Sequence, residues 1–577
     1  MLNFPFQALF LCFILLVSGS LQAQKGITDA TPFEQDSLSS ASYEQAIAHY
    51  EVLAKAYPKR CSLVKLGPTD SGEPLFVFII TDERKDDVQT FFVNNGIHAG
   101  EPCGIDASMM FARDLVAGKL KDVPLVNAQV AIIPVYNIGG ALNRGSYSRA
   151  NQNGPKAYGF RGNSKNLDLN RDFIKHDSRN ADWLTVALRA MSPDVFIDTH
   201  TTNGADYQYD ITVIATQPEK LGPVLGPYMR DQLLPALYRG VEAAGHPVSP
   251  YVYSNGVPQE AGIMPFIESP RYSSGYAALH HSLAFITEAH MLKPFNKRVR
   301  ATEAFLHTAF DFWLDNKEEI AAARKANMKA IAAADEVVLK WQVDSSRADT
   351  LNFRGYTPVR EPSKVTGAER LRYDREQPQT VPTVYHAYAK PALSVPAPKA
   401  YYIPQAYAEL IDGIPNMFVN PDATRLKKDT VLTTHAYFIE DYQTSSRPYE
   451  GHYLHYGVEV RKTPLRVQAR AGDLILILSP ENLRLYTAKL EPQAPDSYFA
   501  WGFFDSWLQQ KEHYSSYVFE ETAARMLATD MNLKAEFEKK KRGEDSFRQN
   551  PKAQLEWLYQ QSVHYEQPMR YPILRLE

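Results

Sequence analysis

The chain has 577 residues, a formal net charge of −4, 44% hydrophobic residues and 22% charged residues. That length exceeds what one hydrophobic core ordinarily serves, so more than one structural unit is expected. The apolar and charged fractions are those of a globular protein, and the near-neutral balance gives no footing for nucleic acid or an anionic membrane surface.

The N-terminus, MLNFPFQALFLCFILLVSGSLQAQKG, is apolar from Phe4 to Val17 and then turns small and polar. It reads as a signal peptide over 1–23, cleaved after Ala23, although its first residues lack Lys or Arg. A secreted or periplasmic protein is therefore expected. No later stretch reaches the roughly 20 apolar residues a bilayer span needs, so no transmembrane span is expected after cleavage. Cys12 falls in the signal segment. Cys61 and Cys103 remain, their pairing left open by the sequence, and Cys103 is read as a buried structural thiol.

PLFVFIIT (74–81) and TFFVNN (90–95) read as strands, followed by a helix from about Gly104, and AQVAIIPVY as another strand before an Asn/Gly-rich loop. The segment Asp315 to Trp341 has helical periodicity with an Asp or Asn cap at its start. Eight prolines between Pro358 and Pro404 resist helix and central strand, and predict a connection with some edge strands. After about Ala400, short β-like runs (TVLTTHAYFIE, GHYLHYGVEVR, DLILILS) predict a smaller β-rich unit with a helical tail around 519–563. The aromatic segment from Asp496 to Glu520 is read as core. His452 and His455 form HxxH, but on a strand that spacing points them to opposite faces, which argues against a metal pair. The expected division is 1–23 signal, 24–345 catalytic, 346–400 connection and 401–577 accessory.

Three segments share one form: an apolar run ending in a residue able to bind metal or move protons. They are TFFVNNGIHAGEP with His98 and Glu101, DVFIDTHTTNG with His200, and LAFITEAHMLK with Glu288. A lone HxxE arises by chance roughly once in a chain of this length. Three independent strand ends carrying such groups are a stronger signal, because sites in open α/β sheets are built at the C-terminal strand ends. Catalytic zinc keeps three protein ligands and an open position, which His98, Glu101 and His200 would supply. A separate carboxylate is needed to take the water proton and return it to the leaving group, and Glu288 is the candidate.

In their order and spacing, HAGEP, NLDLNRDF, DTHTT and FITEAH resemble the motifs of the M14 (carboxypeptidase A-like) zinc carboxypeptidases, over approximately residues 40 to 315. The resemblance implies a mixed, roughly eight-stranded sheet flanked by helices. It also implies one zinc ion per chain and cleavage of an amide next to a free carboxylate, so the expected partner is a peptide or peptide-like substrate. Asn170 and Arg171 then correspond to the carboxylate grip, which an arginine fork suits. Arg149 is taken as the oxyanion-stabilising arginine, with Arg144 and Arg161 as competitors. Tyr276 is preferred to Tyr272 as the family's mobile tyrosine, and Arg271 is a further carboxylate contact. The chain departs from the family at Asn137 to Gly140, where it reads NIGG, so the following loop is expected to differ. The leading reading is a secreted zinc metallocarboxypeptidase. The alternatives are a zinc amidohydrolase acting on cell-wall peptides or acylated amino acids, and a non-catalytic binding protein on the same fold.

Overall fold

The computed structural model describes residues 30–83, 88–121, 123–412 and 422–577. The expected signal peptide lies outside the described residues.

Eight strands form the central sheet: β1 (Cys61–Pro68), β2 (Pro74–Ile80), β3 (Gln89–Asn95), β4 (Ala128–Ile133), β5 (Val195–Thr202), β6 (Ile211–Ala215), β7 (Val248–Pro250) and β8 (Leu283–His290). Their order is β1-β2-β4-β3-β5-β8-β6-β7. The β4, β3, β5 and β8 strands run parallel, while β1/β2, β2/β4 and β6/β8 are antiparallel. The mixed eight-stranded sheet expected from the sequence is thus present. The central strands are buried on both faces, so their apolar runs are continuous rather than alternating.

Helices α1 (Cys103–Val116), α2 (Arg179–Met191), α3 (Ser273–Leu279) and α4 (Phe295–Ala332) pack against this sheet. One face is closed where Phe91 of β3 meets Phe111 of α1 and Phe310 and Trp313 of α4. The helix expected from Asp315 to Trp341 is the second half of α4, which starts after Pro294 and stops at Ala332. Its expected cap is internal: the Asn316 amide donates back to the Phe312 carbonyl within the helix. Residues 336–343 are instead a strand, β9 (Glu336–Val343), where consecutive valines favour extended backbone.

The proline-rich stretch is more regular than a connection. β10 (Asp349–Pro362) and β11 (Glu369–Tyr385) form a two-stranded antiparallel ribbon, and β12 (Ala389–Pro396) pairs with β9. Prolines are tolerated because every strand of such a ribbon is an edge. Beyond it lies a six-stranded antiparallel sheet of β13 (Ala400–Ile403), β14 (Ala423–Arg425), β15 (Thr430–Thr444), β16 (His455–Ala469), β17 (Leu474–Ile477) and β18 (Leu574–Leu576). Helices fill much of 516–560 before the chain returns to lay down β18. This sheet shares a core with the first: one buried cluster runs from the β3–β8 strands through Tyr276 to Tyr401, Tyr486, Tyr498 and Tyr571. No described helix is long and apolar enough to cross a membrane.

Candidate metal centre

β3 ends at Asn95, and the chain turns through Gly96 into His98, where the Glu101 amide donates to the His98 carbonyl and Pro102 leads into α1. A side chain at Gly100 would collide with Arg149, its Cβ falling 2.3 Å from Nε, so glycine there lets that arginine reach the turn. His200 and Glu288 come from β5 and β8 and are register partners in a parallel pair, so both side chains share one face. Asp198 is two residues before His200 and lies on that same face.

His98, Glu101 and His200 offer ligand atoms that all lie within 4.8 Å of one another, and all three residues are buried. Glu101 sits between the imidazoles, its Oε1 3.1 Å from His98 Nδ1 and its Oε2 3.1 Å from His200 Nδ1. Behind the imidazoles, His98 Nε2 is 2.9 Å from Asp168 Oδ1 and His200 Nε2 is 3.0 Å from Asp198 Oδ2. A carboxylate on each Nε2 fixes the tautomer whose Nδ1 lone pair faces inward. His98 Nδ1 is buried and has no hydrogen-bond partner. A buried acceptor left open beside a carboxylate and a second Nδ1 fits a tetrahedral divalent ion, and the nitrogen-and-oxygen donor set suits zinc.

Burial opposes charge on Glu101, but His98 and Arg149, with the His200 hydrogen bond, hold its carboxyl well below the usual range. Asp168 behaves likewise: burial is outweighed by His98 and by Arg161 and Arg171. For His200, burial is outweighed by Asp198 and Glu101, which raise its pKa. Glu288 goes the other way. Burial pushes its carboxyl up and the negative charge of Glu101 adds to this, with His200 opposing.

These groups open on a cavity of about 330 Å³, also lined by Arg149, Arg161, Asn170, Arg171, Tyr251, Phe266 and Tyr272. Residues 46–193 match the zinc carboxypeptidase family of M14 peptidases. Over those residues the chain is similar to the M14 zinc carboxypeptidases. Similar solved structures include a metallo-carboxypeptidase from Burkholderia cenocepacia (17% identity, TM-score 0.37, 48% of this chain and 70% of that one). Others are a metallo-carboxypeptidase from Pseudomonas aeruginosa in complex with (2-guanidinoethylmercapto)succinic acid (15%, 0.37, 49% and 70%) and the carboxypeptidase A from Helicoverpa armigera (14%, 0.36, 52% and 78%). No curated protein matches the chain.

Seven of the residues singled out in the sequence come together in this cavity: His98, Glu101, Arg149, Asn170, Arg171, His200 and Glu288. Arg149 reaches Glu101 Oε1 at 2.8 Å, while its competitor Arg161 lies 2.9 Å from Asp168 and 3.7 Å from Glu101. Arg144 points away, onto the Ser40 and Ala41 carbonyls. Two choices are displaced. Tyr276 is fully buried on α3 beside His280 and Thr185, outside the cavity; Tyr272, just before α3, lines it with its ring 4.5 Å from the Arg171 guanidinium. A residue inside α3 faces the core, whereas the one preceding the helix faces the loop. Arg271 is held by Asp496 and stacks on Trp501 instead of lining the cavity.

Asp168, Asp198 and Tyr251 were not anticipated. For Asp198 the signal was available, since an acidic residue two positions before a strand histidine shares its face. Tyr251 follows β7 in a loop and carried no comparable mark. Cys61 and Cys103 are both buried free thiols, the latter 3.3 Å from Thr201 Oγ1. His452 and His455 go to different partners, Asp177 and Asp505.

Proposed function

We propose that this chain is an exported zinc-dependent metallocarboxypeptidase that removes C-terminal residues from peptides, with its catalytic unit within 24–345 and an accessory unit over 401–577. The observation that carries the reading is the pair of imidazoles turned Nδ1-inward by Asp168 and Asp198, with Glu101 between them and Glu288 across on the neighbouring strand.

His98, Glu101 and His200 would hold the ion. The chemistry a zinc ion supplies when bound is polarisation of a carbonyl and acidification of a water. Asn170 and Arg171 take the substrate's terminal carboxylate, Arg171 as a guanidinium fork with charge-assisted hydrogen bonds. That contact sets how deep the peptide enters and so which amide faces Glu288. Glu288 accepts a proton from the attacking water and hands it to the leaving amine, and its upward-shifted carboxyl suits a group that must hold the proton between these steps. Arg149 and Arg161 border the cavity where the amide oxygen gains negative charge, and Arg149 is assigned to that oxygen. Tyr272 and Tyr251 border the bound chain end in place of Tyr276.

The test is mass spectrometry of a mixed peptide library incubated with the purified protein, with and without a chelator. Chelator-sensitive loss of single C-terminal residues is expected. Intact peptides with stoichiometric zinc would move the reading to cell-wall or acylated amino-acid amides, and intact peptides without zinc binding would remove the enzyme reading.

A further inference from the structure

A hairpin of the C-terminal sheet, outside the motifs that carry the M14 resemblance, reaches Arg171 at the edge of the cavity. β15 and β16 are joined by residues 445–454, whose tip is a tight turn: the Tyr449 amide donates to the His452 carbonyl (2.7 Å) and the His452 amide returns a bond to the Tyr449 carbonyl (3.1 Å). The two central residues, Glu450 and Gly451, have φ of 50° and 83°. Such turns fit the twist of a hairpin and prefer Asn or Gly at both positions. Glutamate in left-handed backbone is disfavoured, so its side chain must compensate elsewhere.

It does so on the catalytic unit. Glu450 Oε2 accepts a 2.7 Å hydrogen bond from the backbone amide of Asp168, 282 residues away in sequence. The next contact is on Arg171 itself, whose Nε donates to the Tyr449 hydroxyl at 2.6 Å. A third holds the end of the same segment, His452 Nε2 lying 2.8 Å from Asp177 Oδ2. The support behind Tyr449 is rigid: its ring stacks at 17° on Trp501, which is fully buried and carries Arg271, itself fixed by Asp496. Arg171 Nη1 donates to the Asn170 carbonyl (2.7 Å) and its guanidinium lies over Tyr272. Among the described residues its Nη2 has no hydrogen-bond partner, so that nitrogen is left for a ligand.

We infer that the C-terminal unit is part of the substrate anchor: Tyr449, on the β15–β16 hairpin, is a positioning residue that sets the Arg171 guanidinium for a substrate carboxylate, and Glu450 fixes the Asp168 backbone beside it. This rests on the reading of Arg171 as the carboxylate grip. It explains why the unit shares a core with the catalytic sheet, since a tethered module could not hold a guanidinium to hydrogen-bond tolerance. The hairpin also reaches the backbone of the residue that orients His98, so anchor and metal centre share one support.

The test uses full-length zinc-loaded protein with two substitutions, Tyr449→Phe and Glu450→Gly. The second places glycine where φ is positive, which preserves the turn while deleting the carboxylate. Steady-state kinetics are read on an N-blocked dipeptide with a free C-terminal carboxylate. Equilibrium binding of that dipeptide and of its C-terminal amide is read in a Glu288→Gln background. Tyr449→Phe is expected to raise KM roughly tenfold with kcat changed less than about threefold, and to weaken free-acid binding by the same factor while leaving amide binding unchanged. Glu450→Gly is expected to move KM in the same direction by a smaller factor. Free-acid binding equal to wild type in both variants overturns the inference, as does an equal loss for acid and amide, which would mark a merely structural effect. A wild-type protein that binds acid no better than amide removes the Arg171 reading itself, and the inference with it.

Discussion

Asp198→Asn tests whether the orienting carboxylates serve the metal. Asp198 is fully buried, accepts from His200 Nε2 at 3.0 Å through Oδ2 and from the Asn94 amide at 3.1 Å through Oδ1. Replacing it by asparagine turns one acceptor into a donor, which would face either His200 or the Asn94 amide. Asn94 Oδ1, however, has no partner, so rotation of the Asn94 amide gives the new Nδ2 an acceptor and the fold survives. The new carbonyl then still receives the His200 proton, and what is lost is the charge that makes Nδ1 a better donor. Loss of such an outer partner costs about 10- to 100-fold in metal affinity. With geometry kept, the lower end is expected, about tenfold or 1.4 kcal/mol. Competition against a chromophoric chelator at fixed pH reads the affinity directly, and circular dichroism checks the fold. Zinc affinity within twofold of wild type, in a folded variant, would refute the claim that Asp198 tunes the site.

Glu288→Gln should keep zinc at wild-type stoichiometry while peptide hydrolysis falls by about 100-fold or more; retained turnover would remove Glu288 from the mechanism. Arg171→Ala should weaken free-acid dipeptides about 30-fold or more and leave the amides nearly unaffected, read as KM and as binding; equal effects on both would deny a carboxylate contact. Asp106 gives a pH prediction away from the cavity. It is fully buried, and burial pushes its carboxyl up to about 7 despite the 3.0 Å bond from the Ala41 amide. A carboxyl whose folded pKa is raised favours the folded state while protonated, and that contribution fades as pH rises from the unfolded value through about 7. Asp106→Asn should therefore gain on wild type by about 2–3 kcal/mol between pH 5 and pH 8, seen as a growing difference in unfolding midpoint. A constant difference across that range would contradict it.

The strands that build the site were legible because fully buried parallel strands write themselves as continuous apolar runs, and the ligands sit where those runs stop. That is how β3, β5 and β8, and with them His98, His200 and Glu288, could be read from the sequence. Boundaries set by tertiary contacts could not. The cap-like Asp315 and Asn316 lie inside α4, because Asn316 bonds back to Phe312 instead of capping. The prolines predicted a connection with some edge strands because sequence does not reveal that β10 and β11 pair with each other. Tyr276 and Tyr272 are four residues apart with similar surroundings in sequence, and only the position of the α3 start decides which one faces the cavity. Tyr449 was the least legible, since its role depends on an approach to Arg171 across 278 residues.

The charges around the cavity tie these observations together. Glu101 and Glu288 line it, Asp168 and Asp198 stand behind the imidazoles, and Arg149, Arg161 and Arg171 bring three guanidiniums. With neutral imidazoles and all four carboxylates ionised, that set would be negative by one charge; burial and Glu101, which push the Glu288 carboxyl up, oppose that state. A bound dication would reverse the sign and leave a single positive charge, the amount one substrate carboxylate neutralises. On the proposed function, anchor and metal centre are not independent halves of a site: a bound ion would alter the field around Arg171, while the hairpin that holds Arg171 also holds the backbone of the residue orienting His98. A perturbation at either end is accordingly expected to register at both.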